Sequence, residues 1–496
     1  MNSCELHSHI VDSRFYGSGY TTDEARQIFC DKYRCQRWIE IEAALASVQA
    51  DLGIIPAWAA RSINEKAHLR YFDLGAVCKG IKETSHSLVP LLEAWRALCD
   101  RDAGQFIHFG ATTQDIQDTG QVLEIRDVLV IVKRDIEAIL RLLMGLAERY
   151  MDVVTIGRTH AQHALPMTLG LKIAVWIDEV WRNHERLMAC KERVLVSQLF
   201  GGVGTMDAFG DAFGDAFGEK NLELLSQFSD KLKLKTPLTA WHAARDRSAE
   251  FLSTMAMISG TLAKIADEIR SLSRSETGEV EEPFQMGKIG SSTMPHKRNP
   301  EMCEQVVVLA RLIRANAGLG FEGMINEHER DYRAVRLEWV TITDTSLFVC
   351  GLLSLAKGIL KDLIVHEDRI RKNVDRAAVS ISTEALMFRV GIKIGKQTAH
   401  RVIYETCMEA IETGQPLIDL LMNHDQISQK FKREDLEKAI DPMNHIGISQ
   451  TLTQRVIDHV KLKPASVGSS SMEKTRVCPL MDEDGVCMVG DGYAGS

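Results

Sequence analysis

Between positions 122 and 146, apolar residues return at 122, 125, 129, 132, 136, 139, 143 and 146. Steps alternating between three and four place these side chains on one face of a helix, the stripe that packs a helical bundle. Residues 252–269 and 306–319 carry similar stripes. Strand patterns are weak, with few alternating runs, so the spacing predicts an all-α chain. Proline supports long helices: none of the eleven lies between Pro90 and Pro166, Pro166 and Pro237, or Pro300 and Pro416. Proline is costly inside a helix, so such gaps leave room for long ones.

In chain order, residues 1–20 read as irregular, with Gly17 and Gly19. Residues 22–52 read as one helix, with Thr22 as N-cap, Asp23 and Glu24 in its first turn and Gly53 as its stop. More helix follows to about 103. The pattern divides the chain into an N-terminal helical domain (1–111), a central long-helix domain (112–364), a small C-terminal helical domain (365–465) and a tail (466–496). The tail is Ser-, Gly- and acid-rich and reads as disordered. Asp-Ala-Phe-Gly occurs three times across 207–218, too short a repeat for a solenoid, and reads as a loop insertion.

Composition narrows the function classes. The chain of 496 residues has a formal net charge of −9 and a pI of about 6.0, which does not favour nucleic acid. No run of eighteen apolar residues suggests a membrane span, and no basic stretch leads into an apolar one at the N-terminus. Eleven scattered cysteines without a Cys-x-x-Cys pair read as reduced thiols in a cytoplasmic protein. The histidines form no metal-binding pattern, so neither metal nor cofactor is expected.

Three polar loops interrupt the helices. They are Gly110-Ala111-Thr112-Thr113-Gln114-Asp115, Gly157-Arg158-Thr159-His160-Ala161-Gln162-His163-Ala164-Leu165-Pro166, and Gly290-Ser291-Ser292-Thr293-Met294-Pro295-His296-Lys297-Arg298-Asn299-Pro300. His86, in Glu83-Thr84-Ser85-His86-Ser87, is a fourth point of interest. Each could be no more than a capped helix end. The third is richer: Gly and Pro shape it, and Lys297, Arg298 and Asn299 all donate hydrogen bonds to an anion. For Arg298 a surface or interface salt bridge is an equal reading.

The third loop is very similar to the signature loop (287–300) of the fumarase/aspartase superfamily, and the other segments resemble its adenylosuccinate lyase and 3-carboxy-cis,cis-muconate cycloisomerase branch. The resemblance spans about residues 14–463. It implies a homotetramer with a twenty-helix core and active sites shared between three subunits. It implies Ser291 as general base, His160 as the acid for the leaving group, Glu304 as the partner of that histidine, and His86 as a second substrate-site histidine. Lys297 and Asn299 would stabilise the dianion formed on proton removal. Thr112, Thr113, Gln114, Asn299 and Arg330 would bind substrate, joined by Arg14 and Tyr16 from an Arg-Tyr pattern like that of adenylosuccinate lyases.

Trp241-His242-Ala243-Ala244-Arg245-Asp246-Arg247 and Glu338-Trp339 look like the cycloisomerases instead. Val335-Arg336-Leu337-Glu338-Trp339 replaces the stretch that holds the nucleotide phosphate in adenylosuccinate lyases, leaving Arg333 and Arg336 to hold an anion another way. The resulting expectation is a lyase acting on a small polycarboxylate. It would release fumarate by anti β-elimination with C–N cleavage. Lactonising cycloisomerisation is the runner-up. A non-catalytic relative, as among lens crystallins, is disfavoured by the intact Ser291, His160, Lys297 and Glu304.

Overall fold

The computed structural model describes residues 8–209, 217–284, 287 and 289–462. The expected helix at 22–52 forms as two, α1 (Asp23–Phe29) and α2 (Asp31–Asp51). Thr22 caps α1 by accepting the Ala25 N–H at 3.3 Å. Cys30 makes the break: its backbone is extended and its sulfur accepts the Tyr33 N–H, so it serves as a cap instead of a helical link. Three short helices follow: α3 (Ala57–Glu65), α4 (Leu74–Thr84) and α5 (Val89–Leu98).

The striped segment is part of α6 (Thr113–Arg149), 37 residues long. Seven of its eight stripe positions, from Val122 to Leu143, are buried. Five long helices pack side by side around one continuous apolar core. They are α6, α7 (Leu169–Val194), α9 (Asp246–Leu272), α10 (Glu301–Glu322) and α11 (Tyr332–Lys361); the shorter α8 is Phe217–Leu232. Helix α11 is long and apolar enough to cross a membrane, but 67% of its most apolar window is buried inside the bundle. Its apolar surface is therefore spent on neighbouring helices.

The segment carrying His160, read above as a loop, is a β-hairpin: β1 (Val154–Thr159) pairs antiparallel with β2 (Gln162–Thr168). Its turn is His160-Ala161, and both residues have positive φ, 51° and 63°. A two-residue hairpin turn needs that geometry but usually recruits Asn-Gly for it, which is why the sequence concealed the hairpin. Two short strands, β3 (Val280–Glu281) and β4 (Ile364–Val365), pair elsewhere. Beyond them the helices are shorter, and a separate apolar cluster gathers Leu386, Val390, Val402, Leu421 and Leu436. Most of the Asp-Ala-Phe-Gly repeat and the tail from 463 lie outside the described residues.

These lengths decide where the polar segments sit. Arg330, which follows α10, bonds to Thr112 at the start of α6. The hairpin and the Ser291 loop lie by the other terminus of α10. Arg158 of the hairpin pairs with Glu279 at 2.7 Å, and nearby Glu282 accepts the Met302 and Cys303 N–H groups that open α10. The 22 residues of α10 span about 33 Å at about 1.5 Å each. Two polar centres therefore stand at opposite ends of the bundle.

Candidate active site

At the first end, Thr112 is the N-cap of α6, and its N–H donates to Asp115 at 3.0 Å. A helix start presents unpaired N–H groups and the positive end of the dipole, a setting for carboxylates. Arg330 Nη1 donates to Thr112 Oγ1 at 2.6 Å, and Thr113 Oγ1 lies 3.5 Å from His86 Nε2. His86 Nδ1 accepts the Leu88 and Val89 N–H groups at 3.3 and 3.1 Å, at the start of α5. With that lone pair used, the ring hydrogen belongs on Nε2, towards Thr113. Thr112, Thr113, His86 and Arg330 thus form one group rich in donors. Gln114 is buried, and its amide donates to Asp118 and to the His242 carbonyl, both at 3.1 Å.

Behind this group lies a buried polar network that the sequence reading did not identify as functional. Asp115 meets His242 at 2.8 Å, and both are buried. Arg245, fully buried, donates to Asp118 at 2.8 and 3.1 Å and to Glu338 at 2.7 Å. Burial works against the guanidinium charge, and the two carboxylates more than offset it. Gln198 and Gln121 donate to the same carboxylates, at 2.6 and 2.8 Å. Asp118 belongs to α6, Arg245 to the start of α9 and Glu338 to α11, so the network ties three helices where the Thr112 group stands. Part of a signal was available: Asp115 and Asp118 are three apart on α6, a spacing that puts both on one helical face.

His108 precedes the same turn and hydrogen-bonds Glu42 at 2.6 Å. Burial opposes the imidazolium, but Glu42 prevails and raises the His108 pKa above its ordinary value. A raised folded value means stability that is full below the ordinary histidine pKa and is lost as pH rises through the folded value. Melting temperature measured against pH should fall over that window in the parent, and the fall should be smaller in His108→Gln. Identical profiles would contradict this linkage.

At the second end, Ser291 Oγ accepts the N–H groups of Thr293 and Met294 at 3.3 and 3.0 Å. A Cβ at Gly290 would overlap the Lys297 carbonyl, so only glycine lets the two arms of the loop close. Asn299 Nδ2 donates to the Gly290 carbonyl at 2.6 Å and fastens the same closure. Lys297 is exposed and has no ion-pair partner among the described residues. Arg298 pairs with Glu281 at 3.0 Å and stacks on Phe284, which is the salt-bridge reading of that residue. Glu304 is exposed in the first turn of α10.

The N-terminal segment reaches this end too. Arg14 and Tyr16 are exposed, and Gln305 of α10 donates to the Gly19 carbonyl at 2.9 Å. His160 is exposed at the hairpin tip. Among the described residues, no hydrogen bond or ion pair joins His160 to Glu304, or Ser291 to the Thr112 group. Within one chain the Thr112 group and the Ser291 loop therefore stand apart.

Known proteins share this fold. A lyase family profile matches residues 18–314, and a profile for the adenylosuccinate lyase C-terminus matches 380–456. The chain is 38% identical to an N-acetyl-S-(2-succino)cysteine lyase of Enterococcus italicus, over 91% of this chain and 97% of that one. It is 37% identical to an adenylosuccinate lyase of Methanothermobacter thermautotrophicus, over 88% and 97%. The structure of a 3-carboxy-cis,cis-muconate lactonizing enzyme from Pseudomonas putida superposes with a TM-score of 0.82 at 30% identity, covering 91% of this chain and 99% of that one. Long helices, three polar segments and matches along most of the chain agree: it belongs to the fumarase/aspartase superfamily, in the adenylosuccinate lyase branch.

Proposed function

We propose that this chain releases fumarate from a small succinylated thioether or amine by anti β-elimination, with the thioether preferred. One observation carries the chemistry: two backbone N–H groups point at Ser291 Oγ, in the same loop as the unpaired Lys297. Donors aimed at that oxygen favour its deprotonated form, the base that removes a proton beside a carboxylate. Lys297 and Asn299 then stabilise the resulting dianion, and His160, paired with Glu304, protonates the leaving group. The Thr112 group binds a succinyl carboxylate: the α6 N-terminus, Thr113 and Arg330 supply charge and donors, His86 adds its Nε2–H, and Gln114 supports the turn from behind. Arg14 and Tyr16 line the leaving-group side.

The leaving group is small on this reading. Arg333 is held by Asp331 and Glu327, and Glu338 is buried on Arg245. Arg336 lies over the Tyr332 ring with no ion-pair partner among the described residues. One available cation suits one carboxylate, such as that of an acylated cysteine, better than a nucleotide phosphate. A thiol also leaves readily, since its reference pKa is about 8.5. The likeness to the Enterococcus italicus lyase supports the same choice.

Separation of the two centres by about 33 Å supports a site completed by other copies of the chain. A homotetramer with a twenty-helix core, in which three subunits contribute to each site, brings the Thr112 end of one chain to the Ser291 end of another. A panel of N-acetyl-S-(2-succino)cysteine, adenylosuccinate and 3-carboxy-cis,cis-muconate, followed by ultraviolet absorbance, tests the reading. The thioether should give fumarate with the highest kcat/KM. The lactonizing-enzyme likeness carries a second reading: carboxymuconate consumed while both succinyl compounds stay intact would replace the first with cycloisomerisation.

A further inference from the structure

The Asp-Ala-Phe-Gly repeat is the sequence feature still without a task. The start of its first copy, Asp207–Phe209, is a 3-10 turn, and Phe209 is fully buried. Its ring lies against Gly110, which opens the turn that presents Thr112 and Thr113. Gly110 has φ of 77°, and a Cβ there would overlap the Phe209 ring. Asp115, which already accepts the Thr112 N–H, also accepts the Phe200 and Gly201 N–H groups at 3.1 and 2.9 Å. A Cβ on Gly201 would stand 3.3 Å from the Gly110 carbonyl oxygen. Segment 200–209 thus backs the turn twice, by the Asp115 carboxylate and by the volume of Phe209.

We infer that Phe209 is a positioning residue. It sets the 110–113 turn so that the N-terminus of α6 meets the substrate carboxylate, and the first repeat copy exists to supply that ring. The inference rests on the reading above that this turn binds a carboxylate. A helix start holds an anion well only when its N–H groups are aimed at it, so loss of the ring weakens binding without touching the proton-transfer groups. The three copies are identical in sequence, so removal of residues 211–218 leaves one Phe for the same seat.

The test is calorimetric titration of the full-length protein with fumarate. Phe209→Ala should bind about tenfold more weakly than the parent, with Phe209→Leu recovering most of the loss. In turnover the loss should fall on KM, with the pH profile of kcat unchanged. Deletion of 211–218 should bind as the parent does. Gly110→Ala should also weaken binding, and adding a smaller residue at 209 to it should cost less than at the parent Gly110, because the ring that the new Cβ strikes is gone. If Phe209→Ala fails to fold, Gly110→Ala compared with Gly110→Ala/Phe209→Leu decides. Parent-like fumarate affinity in a folded Phe209 variant, or independent effects of the two positions, would overturn the inference. A parent that binds no fumarate would bring down the carboxylate reading itself, and this inference with it.

Discussion

Replacing Ser291 by alanine should lower kcat at least about a thousandfold, the upper range of what a positioned general base contributes. Only the hydroxyl is lost. The loop is closed by Gly290 and by Asn299 donating to the Gly290 carbonyl, neither of which needs the Ser291 side chain. Fold and assembly should therefore survive, as judged by circular dichroism and light scattering. Mixing inactive Ser291→Ala with inactive His160→Ala under conditions of subunit exchange should restore part of the activity, because some sites would draw a wild-type loop and a wild-type hairpin from different chains. Near-normal turnover by Ser291→Ala would remove the base assignment. Failure of the two variants to complement would remove subunit sharing.

The second large effect is on stability. Arg245→Met should cost about 3–5 kcal/mol, the range for removing one partner from a buried ion pair. Methionine fills the space but leaves Asp118 and Glu338 buried without their cation. Gln198, Gln114 and Gln121 still donate to those oxygens, which softens the loss but supplies no charge. Lysine should not rescue it, because the Arg245 fork spans two carboxylates at once. Urea unfolding should show a lower midpoint at neutral pH. An unchanged midpoint would mean that the network does not bind α6, α9 and α11 together.

Much of this was legible in the sequence, for identifiable reasons. The stripe from Val122 to Leu143 predicted a long bundle helix because core burial enforces its period over many turns. The Ser291 loop was legible because Gly290 and two prolines shape it locally. The hairpin was hidden because His160 and Ala161 take positive φ without the residues that usually signal it. The break at Cys30 was hidden because cysteine is an unusual cap. The Arg245 network was hidden for another reason: its partners lie 127 and 93 residues away, and no local pattern reports that. Nor could motifs along one chain reveal that Thr112 and Ser291 stand at opposite ends of α10. That fact follows from helix length, and it keeps the Thr112 group and the Ser291 loop apart within one chain.

The proposed reaction is heteroatom elimination from a succinyl unit. Its most direct measurement is product stoichiometry with N-acetyl-S-(2-succino)cysteine as the only substrate, following fumarate by proton NMR and free thiol by a thiol reagent. Fumarate and thiol should appear together, one for one, and neither should appear with Ser291→Ala. Substrate left intact by the parent protein, or thiol released without fumarate, would contradict it.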